Sequence, residues 1–118
     1  MARLARAVAP GTPHHVTRRG SRCETTFFRR ADYITYRRLL ATWCRQCQVE
    51  AWAYSLMPNH VHLLLVPADA DALRRVLCET HRRYTRAVNQ RQGWVGHLWQ
   101  GWFSSCALDP DHVLAAAR

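Results

Sequence analysis

The 118-residue sequence contains no lysine and no long hydrophobic run. No apolar stretch approaches the roughly 18–20 residues that a membrane-spanning helix needs, and the first residues lack the apolar core of a signal peptide. Glycine and proline, at five each, are too few for a collagen-like or low-complexity chain. With 48% hydrophobic and 21% charged residues, the composition predicts one globular domain spanning residues 1–118.

Acidic residues are also scarce. Eight Asp and Glu oppose seventeen Arg, which leaves a net charge of +9. The arginines are spread along the chain, so they indicate a charged surface on a folded body rather than a basic tail. Such a surface is typical of proteins that bind nucleic acid, and the guanidinium fork suits phosphate. The alternative is an ordinary solvated surface in a protein from a GC-rich genome.

Cysteine gives no sign of a disulfide framework. The five cysteines are odd in number and accompany no secretory signal, which predicts a reduced, cytoplasmic protein. Cys44 and Cys47 have the spacing of a redox or zinc pair, but they lie within a helical pattern and no second pair follows. We interpret both as helix-packing residues.

Hydrophobic periodicity predicts two main helices among four strands. The strands are expected at 13–19, 49–56, 60–66 and 103–108, and the helices at about 30–48 and 70–91. This β-α-β-β-α-β order predicts an α+β, ferredoxin-like fold with an antiparallel sheet. The run of Leu and Val in the third strand indicates an interior strand buried on both faces.

Several boundary signals accompany these elements. Asp69 or Asp71 is expected to cap the second helix, and Gly93 to end it. Alternation in the second strand predicts that Trp52 and Tyr54 point away from Ala51 and its neighbours. A further helix is expected to begin at 109–111.

His60 and His62 are the first candidates for chemistry. Residues two apart in a strand share a face, which places the two imidazoles about 6–7 Å apart and within reach of one metal ion. The structural alternative is two partly exposed histidines at the start of a strand. The preceding Pro58–Asn59 turn and the buried strand that follows favour a rigidly held pair.

Tyr84 is the second candidate, because it lies on the apolar stripe of the second helix between Arg82, Arg83 and Arg86. Cationic neighbours favour a nucleophilic phenolate and would also hold a phosphodiester. The structural alternative is a core tyrosine whose hydroxyl is hydrogen-bonded.

The glycine-bounded loop at residues 96–101 is the third candidate. Its aromatic side chains suit stacking on single-stranded bases. The structural alternative, equally open at this point, is a loop pinned to the domain by a buried tryptophan.

Four segments together resemble one protein family. The segment LMPNHVHLL at 56–64 resembles the hallmark of single-tyrosine HUH transposases, specifically the REP-associated tyrosine transposases of the insertion-sequence 200 type. The other three are similar to the first strand, a tyrosine helix and a loop of that family: HVTRRG at 15–20, YT followed by Asn at 84–89, and GHLWQG at 96–101.

The resemblance implies a specific chemistry. His60 and His62 would bind a divalent cation, Mg²⁺ or Mn²⁺, with Asn89 as the matching third ligand. Tyr84 would attack single-stranded DNA, form a 5′-phosphotyrosine link and release a 3′-hydroxyl. The imperfect hairpins on which such enzymes act would be the substrate, in the bacterial cytoplasm at the nucleoid. We expect a monomer, with a dimer as the alternative. The residues expected to bind DNA are Arg18, Arg19, Arg82, Arg83, Arg86, His97, Trp99 and Gln100.

The sequence departs from the family pattern in three places. Trp102 stands where the family loop commonly has Arg, Ser21 replaces an Asn, and the chain is expected to be truncated at its C-terminal end. Trp102 and the truncation favour a second hypothesis, a degenerate domain that binds hairpin DNA without cutting it. A zinc-stabilised domain is disfavoured, because no four-ligand set has suitable spacing.

Overall fold

Two helices and four strands follow each other in the predicted order. The computed structural model describes residues 8–101 and 103–108. The elements are β1 (His14–Arg19), α1 (Arg30–Gln46), β2 (Val49–Met57), β3 (His60–Pro67), α2 (Ala72–Gln92) and β4 (Ser104–Ala107). All strand pairs are antiparallel in the order β2-β3-β1-β4, which confirms the ferredoxin-like α+β fold. The helix expected from 109–111 lies outside the described residues.

The two faces of the sheet differ in what they carry. Val16, Val61, Leu63 and Leu65 form one buried cluster with side chains of α1 and α2. The residues that alternate with them point to the opposite side of the sheet. We call that side the histidine face and define it by His15, Thr17, Arg19, His60 and His62. β3 is an interior strand as predicted, but its two histidines are only half-buried, so burial on both faces does not extend to its start.

The alternation predicted for β2 is wrong after Ala51, because the strand contains a β-bulge. The register shifts between Ala51 and Ala53, so that Ala51 pairs with Leu65 on the helix side. Ser55 instead pairs with His62 on the histidine face. The extra residue, Trp52, reverses the side on which each following residue lies, because strand side chains alternate with period two.

The C-terminal end of α2 follows its local signal, whereas its N-terminal end does not. Asp71 occupies the position before α2, but its carboxylate makes no capping hydrogen bond and pairs with Arg74 instead. Gly93 ends the helix in the left-handed conformation with φ 72°, which glycine adopts at little cost. α1 ends at Gln46, two residues earlier than predicted, and Gln48 follows with φ 57°. In the described part of the chain, no helix is both long and apolar enough to span a membrane.

Two of the five cysteines are core residues, and the other three are exposed. All five belong to the described part of the chain and are free thiols. Cys44 and Cys47 are buried in the main core, which confirms their packing role.

Candidate metal and DNA site

His60 is held in the orientation and tautomer that a metal ligand requires. The Asn59 side-chain amide donates from Nδ2 to the carbonyl oxygen of Cys23 at 3.2 Å, which turns its Oδ1 toward His60. His60 Nδ1 lies 2.7 Å from that Oδ1. Because an amide oxygen only accepts, Nδ1 carries the proton and the lone pair of Nε2 is available to a cation.

His62 is the next histidine on the same face, and its ring centroid lies 4.9 Å from that of His60. Its Nδ1 is occupied by His15 Nε2 at 3.1 Å and by Thr17 Oγ1 at 3.3 Å. Desolvation, together with the charges of His15, His60 and Arg19, holds the pKa of His62 below its usual value. The neutral imidazole is the form that binds metals.

The pair fits a divalent cation, and the predicted third ligand, Asn89, makes its hydrogen bond to the loop after α2. Hydrogen bonds to the Nδ1 atoms are the outer contacts that metal-binding histidines typically make. Asn89 lies on α2, where its Nδ2 donates to the carbonyl oxygen of Gly96 at 3.1 Å. Among residues 8–101 and 103–108, no group of three His, Cys, Asp or Glu side chains is arranged to hold a metal. Imidazole is a donor type that suits metals softer than Mg²⁺.

Arg19 supplies a positive charge beside the histidines. Arg19 is the last residue of β1 and is exposed. It lies opposite His60 in the register of β1 and β3. Side chains of directly paired residues lie on the same face of a sheet. The histidine face thus combines a candidate cation site with an exposed guanidinium, as required for contact with a phosphate.

Tyr84, the predicted nucleophile, lies on α2, which packs against the other side of the sheet. Its side chain is fully buried in the core, against Phe27, Tyr36 and Trp99. Its hydroxyl donates to the carbonyl oxygen of Thr26 at 2.6 Å. Burial raises the pKa of the phenol far above its usual value, so the phenolate is disfavoured. In this structure Tyr84 matches the alternative of a hydrogen-bonded core tyrosine.

Four of the predicted DNA-binding residues line one basic cavity of about 450 Å³ on the helix side of the sheet. They are Arg18, Arg82, His97 and Trp99. Arg18 donates from Nε and Nη2 to the Gln100 carbonyl oxygen, at 3.0 and 2.6 Å. Its guanidinium therefore holds the loop that lines one side of the cavity.

Trp99 is held by side-chain packing, and Gln100 by a backbone hydrogen bond. Trp99 is 4% exposed and stacks on His81 with ring centroids 4.5 Å apart, which leaves no room for a nucleotide base against the ring. Gln100 N–H donates to the Arg19 carbonyl oxygen at 2.9 Å. The loop is therefore pinned by a buried tryptophan, while Trp94 beside it is 46% exposed. Trp102 lies outside the described residues.

The arginines around Tyr84 are directed outward from α2. Arg82 and Arg83 both form ion pairs with Glu79, and Arg83 also lies 4.7 Å above the Trp43 ring. Arg86 is exposed. None of the three lies on the histidine face, because α2 packs against the opposite side of the sheet.

Sequence reasoning missed three residues that contact the histidine pair: His15, Thr17 and Asn59. Asn59 stands directly before His60, so its proximity was visible in the sequence. His15 and Thr17 alternate with the buried Val16, which signals a shared face. The sequence does not show that β1 pairs with β3, and that pairing brings both residues to His62.

Comparison of structures places the fold among known transposase domains. One match, at 19% sequence identity and a TM-score of 0.75, is a REP-associated tyrosine transposase solved with a REP hairpin; it covers 93% of this chain and 64% of that one. This chain thus spans less than two thirds of that protein. A second match, a transposase candidate from Deinococcus radiodurans R1, has 19% identity and a TM-score of 0.67, covering 88% of this chain and 84% of that one.

The fold is the α+β fold of these two structures, and the sequence identifies the family. Residues 11–116 match the family model described as "Transposase IS200 like". The chain belongs to the IS200-like transposase family. Among curated protein sequences, no match was found.

Proposed function

We propose that this chain binds single-stranded or hairpin DNA on the histidine face, with a phosphate held between Arg19 and a divalent cation at His60 and His62. The observation that carries this proposal is the preset histidine pair beside an exposed guanidinium. Family membership supports a role in DNA transposition. A REP-like hairpin is the substrate that we propose, because the structurally similar transposase was solved with one.

The cation requirement follows from the donor atoms that are present. Nε2 of His60 and of His62 would hold Mn²⁺ or Mg²⁺, with the remaining coordination positions open to phosphate and water oxygens. A bound divalent cation would polarise a phosphodiester and offset its negative charge. Arg19 would contact a second phosphate oxygen and orient the strand across β1 and β3.

Tyr84 enters this proposal as a structural residue. Its hydroxyl is bonded to Thr26, whose N–H in turn donates to the Pro58 carbonyl oxygen at 2.8 Å, in the turn before His60. Tyr84 is thus linked to the turn that carries the histidine pair through Thr26, whose own hydrogen bond to Pro58 does not involve the phenol. The domain in this form binds DNA without cleaving it, as in the second hypothesis from the sequence.

Strand cleavage through Tyr84 is the second candidate function, favoured by membership of a transposase family. The Tyr84 phenol would lose its proton, and its oxygen would form a bond to phosphorus. The bond between phosphorus and the 3′-oxygen would break, and the proton would pass to that oxygen to give a 3′-hydroxyl. The Tyr84 hydroxyl would first have to leave Thr26 and the core. We expect a monomer acting in the bacterial cytoplasm, with a dimer as the alternative.

The test combines DNA binding with a search for a covalent adduct. A labelled imperfect hairpin is titrated with the protein, with Mn²⁺ and with chelator, and fluorescence anisotropy reports affinity. The same mixtures are run on denaturing gels with the wild type and Tyr84→Phe. We expect Mn²⁺-enhanced binding that His60→Ala weakens, no adduct with either protein, and unchanged binding by Tyr84→Phe.

Other results of these experiments would contradict either the structural role of Tyr84 or the cation site. An adduct formed by the wild type and lost in Tyr84→Phe would establish the second candidate. Equal affinity for the hairpin with and without Mn²⁺, unaffected by His60→Ala, would exclude the cation site.

Loss of one hydrogen bond in Tyr84→Phe is expected to lower the free energy of unfolding by about 1 kcal/mol, which denaturant unfolding measures.

A further inference from the structure

His15 makes the closest contact to His62 at the candidate metal site. His15 Nε2 and His62 Nδ1 are 3.1 Å apart, the ring planes differ by 8°, and the centroids are 5.2 Å apart. Stacked rings approach no closer than the carbon contact distance of about 3.5 Å. The two imidazoles therefore meet edge to edge in nearly one plane, which is the arrangement of a nitrogen-to-nitrogen hydrogen bond.

This contact decides which nitrogen of His62 faces a cation. Nδ1 is covered by His15 and Thr17, so Nε2 is the atom left for a ligand role. A lone pair on Nε2 requires the proton to be on Nδ1, and that proton needs an acceptor. His15 Nε2 is nearer to Nδ1 than Thr17 Oγ1, at 3.1 against 3.3 Å.

We propose that His15 is a positioning residue that accepts the Nδ1 proton of His62 and thereby presents the Nε2 lone pair to the cation. This inference rests on the proposed function for the cation, and it adds a residue outside the His60–His62 pair. Asn59 does the same for His60, so each metal-facing imidazole is fixed by one neighbour. The two supports come from different elements, since Asn59 is in the turn before β3 and His15 is in β1.

The experiment reads the His62 tautomer directly and metal affinity separately. Long-range ¹H–¹⁵N NMR of the metal-free protein reports which ring nitrogen carries the proton. Loss of the free Mn²⁺ signal in electron paramagnetic resonance reports affinity. The variants are His15→Phe, which removes the acceptor, His15→Gln, whose side-chain oxygen can accept, and Thr17→Val. His15 lies on the half-exposed face and outside the core cluster, and thermal unfolding checks each variant.

We expect the Nδ1–H tautomer at His62 in the wild type and a shift to Nε2–H in His15→Phe. Affinity for Mn²⁺ is expected to fall about 10- to 100-fold in that variant, as for other outer contacts of metal ligands. His15→Gln should restore the tautomer and most of the affinity. Thr17→Val should change neither, and the His60 signals should stay unchanged in the His15 variants.

Three results would overturn the role of His15. They are an Nε2–H tautomer at His62 in the wild type, an unchanged tautomer in His15→Phe, and a shift in Thr17→Val alone, which would transfer the role to Thr17. A wild type that binds no Mn²⁺ would refute the proposed cation function. The metal-free NMR comparison would then still decide whether His15 sets the tautomer of His62.

Discussion

Burial of Tyr84 raises the pKa of its phenol and so opposes ionisation of this side chain. The residue lies among arginines in the sequence, yet those guanidinium groups point outward to Glu79 and to solvent. The phenol points inward, where desolvation opposes ionisation. Position on an apolar stripe, rather than the charge of adjacent residues, therefore determines its environment.

His81 is a second buried residue with a defined protonation state. Arg18 Nη1 lies 3.2 Å from His81 Nδ1, and because arginine only donates, Nδ1 is the acceptor. The ring proton is then on Nε2, 2.6 Å from the Tyr36 hydroxyl. Burial, followed by the charge of Arg18, holds the pKa of His81 well below its usual 6.5.

This depressed pKa predicts a loss of stability in acid. Below about pH 6.5 the unfolded chain binds a proton at His81 that the folded protein does not, so the free energy of unfolding falls as the pH falls. The contribution is about 1.4 kcal/mol per pH unit for one proton. Urea unfolding at pH 7.5, 6 and 5 should show a shallower decline for His81→Gln than for the wild type. Parallel declines would mean that His81 is protonated in the folded state.

At the scale of elements, the connection between β1 and α1 supports the turn before β3. Gly20 N–H donates to the Asn59 carbonyl oxygen at 2.8 Å, and the N–H groups of Thr26 and Phe27 both donate to the Pro58 carbonyl oxygen. Leu98 accepts from Ser21, so the same connection also holds the loop after α2. The connection between β1 and α1 therefore joins the turn from which His60 emerges to the loop after α2.

The backbone of Gly20 packs directly against Glu24 and Thr26, with no room for a side chain. A Cβ at this position would lie 2.2 Å from the Glu24 carbonyl oxygen and 2.8 Å from Thr26 Cγ2. Gly20→Ala is expected to lower the free energy of unfolding by about 1–3 kcal/mol, as for other overpacked sites. It should also weaken Mn²⁺ binding, because the Asn59 turn must move.

Gly101→Ala is the matched control for this prediction, since a Cβ there meets nothing within 4 Å. Denaturant unfolding and Mn²⁺ titration of both variants provide the measurement. Equal stability of the two variants would contradict the close approach at Gly20. A destabilised Gly20→Ala protein with unchanged Mn²⁺ affinity would show that the turn and the histidine pair are independent.

At the scale of the whole molecule, the arginines are not equivalent despite the net charge of +9. Arg74 is paired with Asp71 at 2.8 Å, and Arg82 and Arg83 share Glu79. Arg19 lies on the histidine face beside His60. Total charge sets general attraction to DNA, whereas position decides which guanidinium meets a phosphate.

The salt dependence of DNA binding should separate these two contributions. Arg19→Ala and Arg74→Ala each remove one positive charge, so the variants have the same net charge. We expect Arg19→Ala to reduce the slope of log affinity against log salt by about one, as for loss of one phosphate contact. Arg74→Ala should leave the slope close to the wild-type value. Anisotropy titrations across a salt series measure both, and equal slopes in the two variants would place the DNA elsewhere.

Much of the fold was predictable because it follows from local patterns. The helical steps of Tyr36 and Leu40, the glycine after α2 and the apolar run in β3 each specify an element without reference to the rest of the chain. The β2 bulge was not predictable, because an extra residue at Trp52 changes the facing of residues without altering their composition. The nucleophile prediction at Tyr84 rested on its arginine neighbours as well as on motif resemblance, and the third-ligand prediction at Asn89 rested on resemblance alone. In this structure Tyr84 is buried in the core, and Asn89 donates to the Gly96 carbonyl oxygen.

The sequence by itself determined the order of elements, the excess of arginine and the shared face of His60 and His62, since each depends on neighbours along the chain. Only the tertiary structure decided what surrounds those histidines. The pairing of β1 with β3 brings His15, Thr17 and Arg19 to them, and the packing of α2 against the other side of the sheet places Tyr84 in the core. Strand pairing and helix packing are long-range choices, governed by total burial rather than by any local pattern.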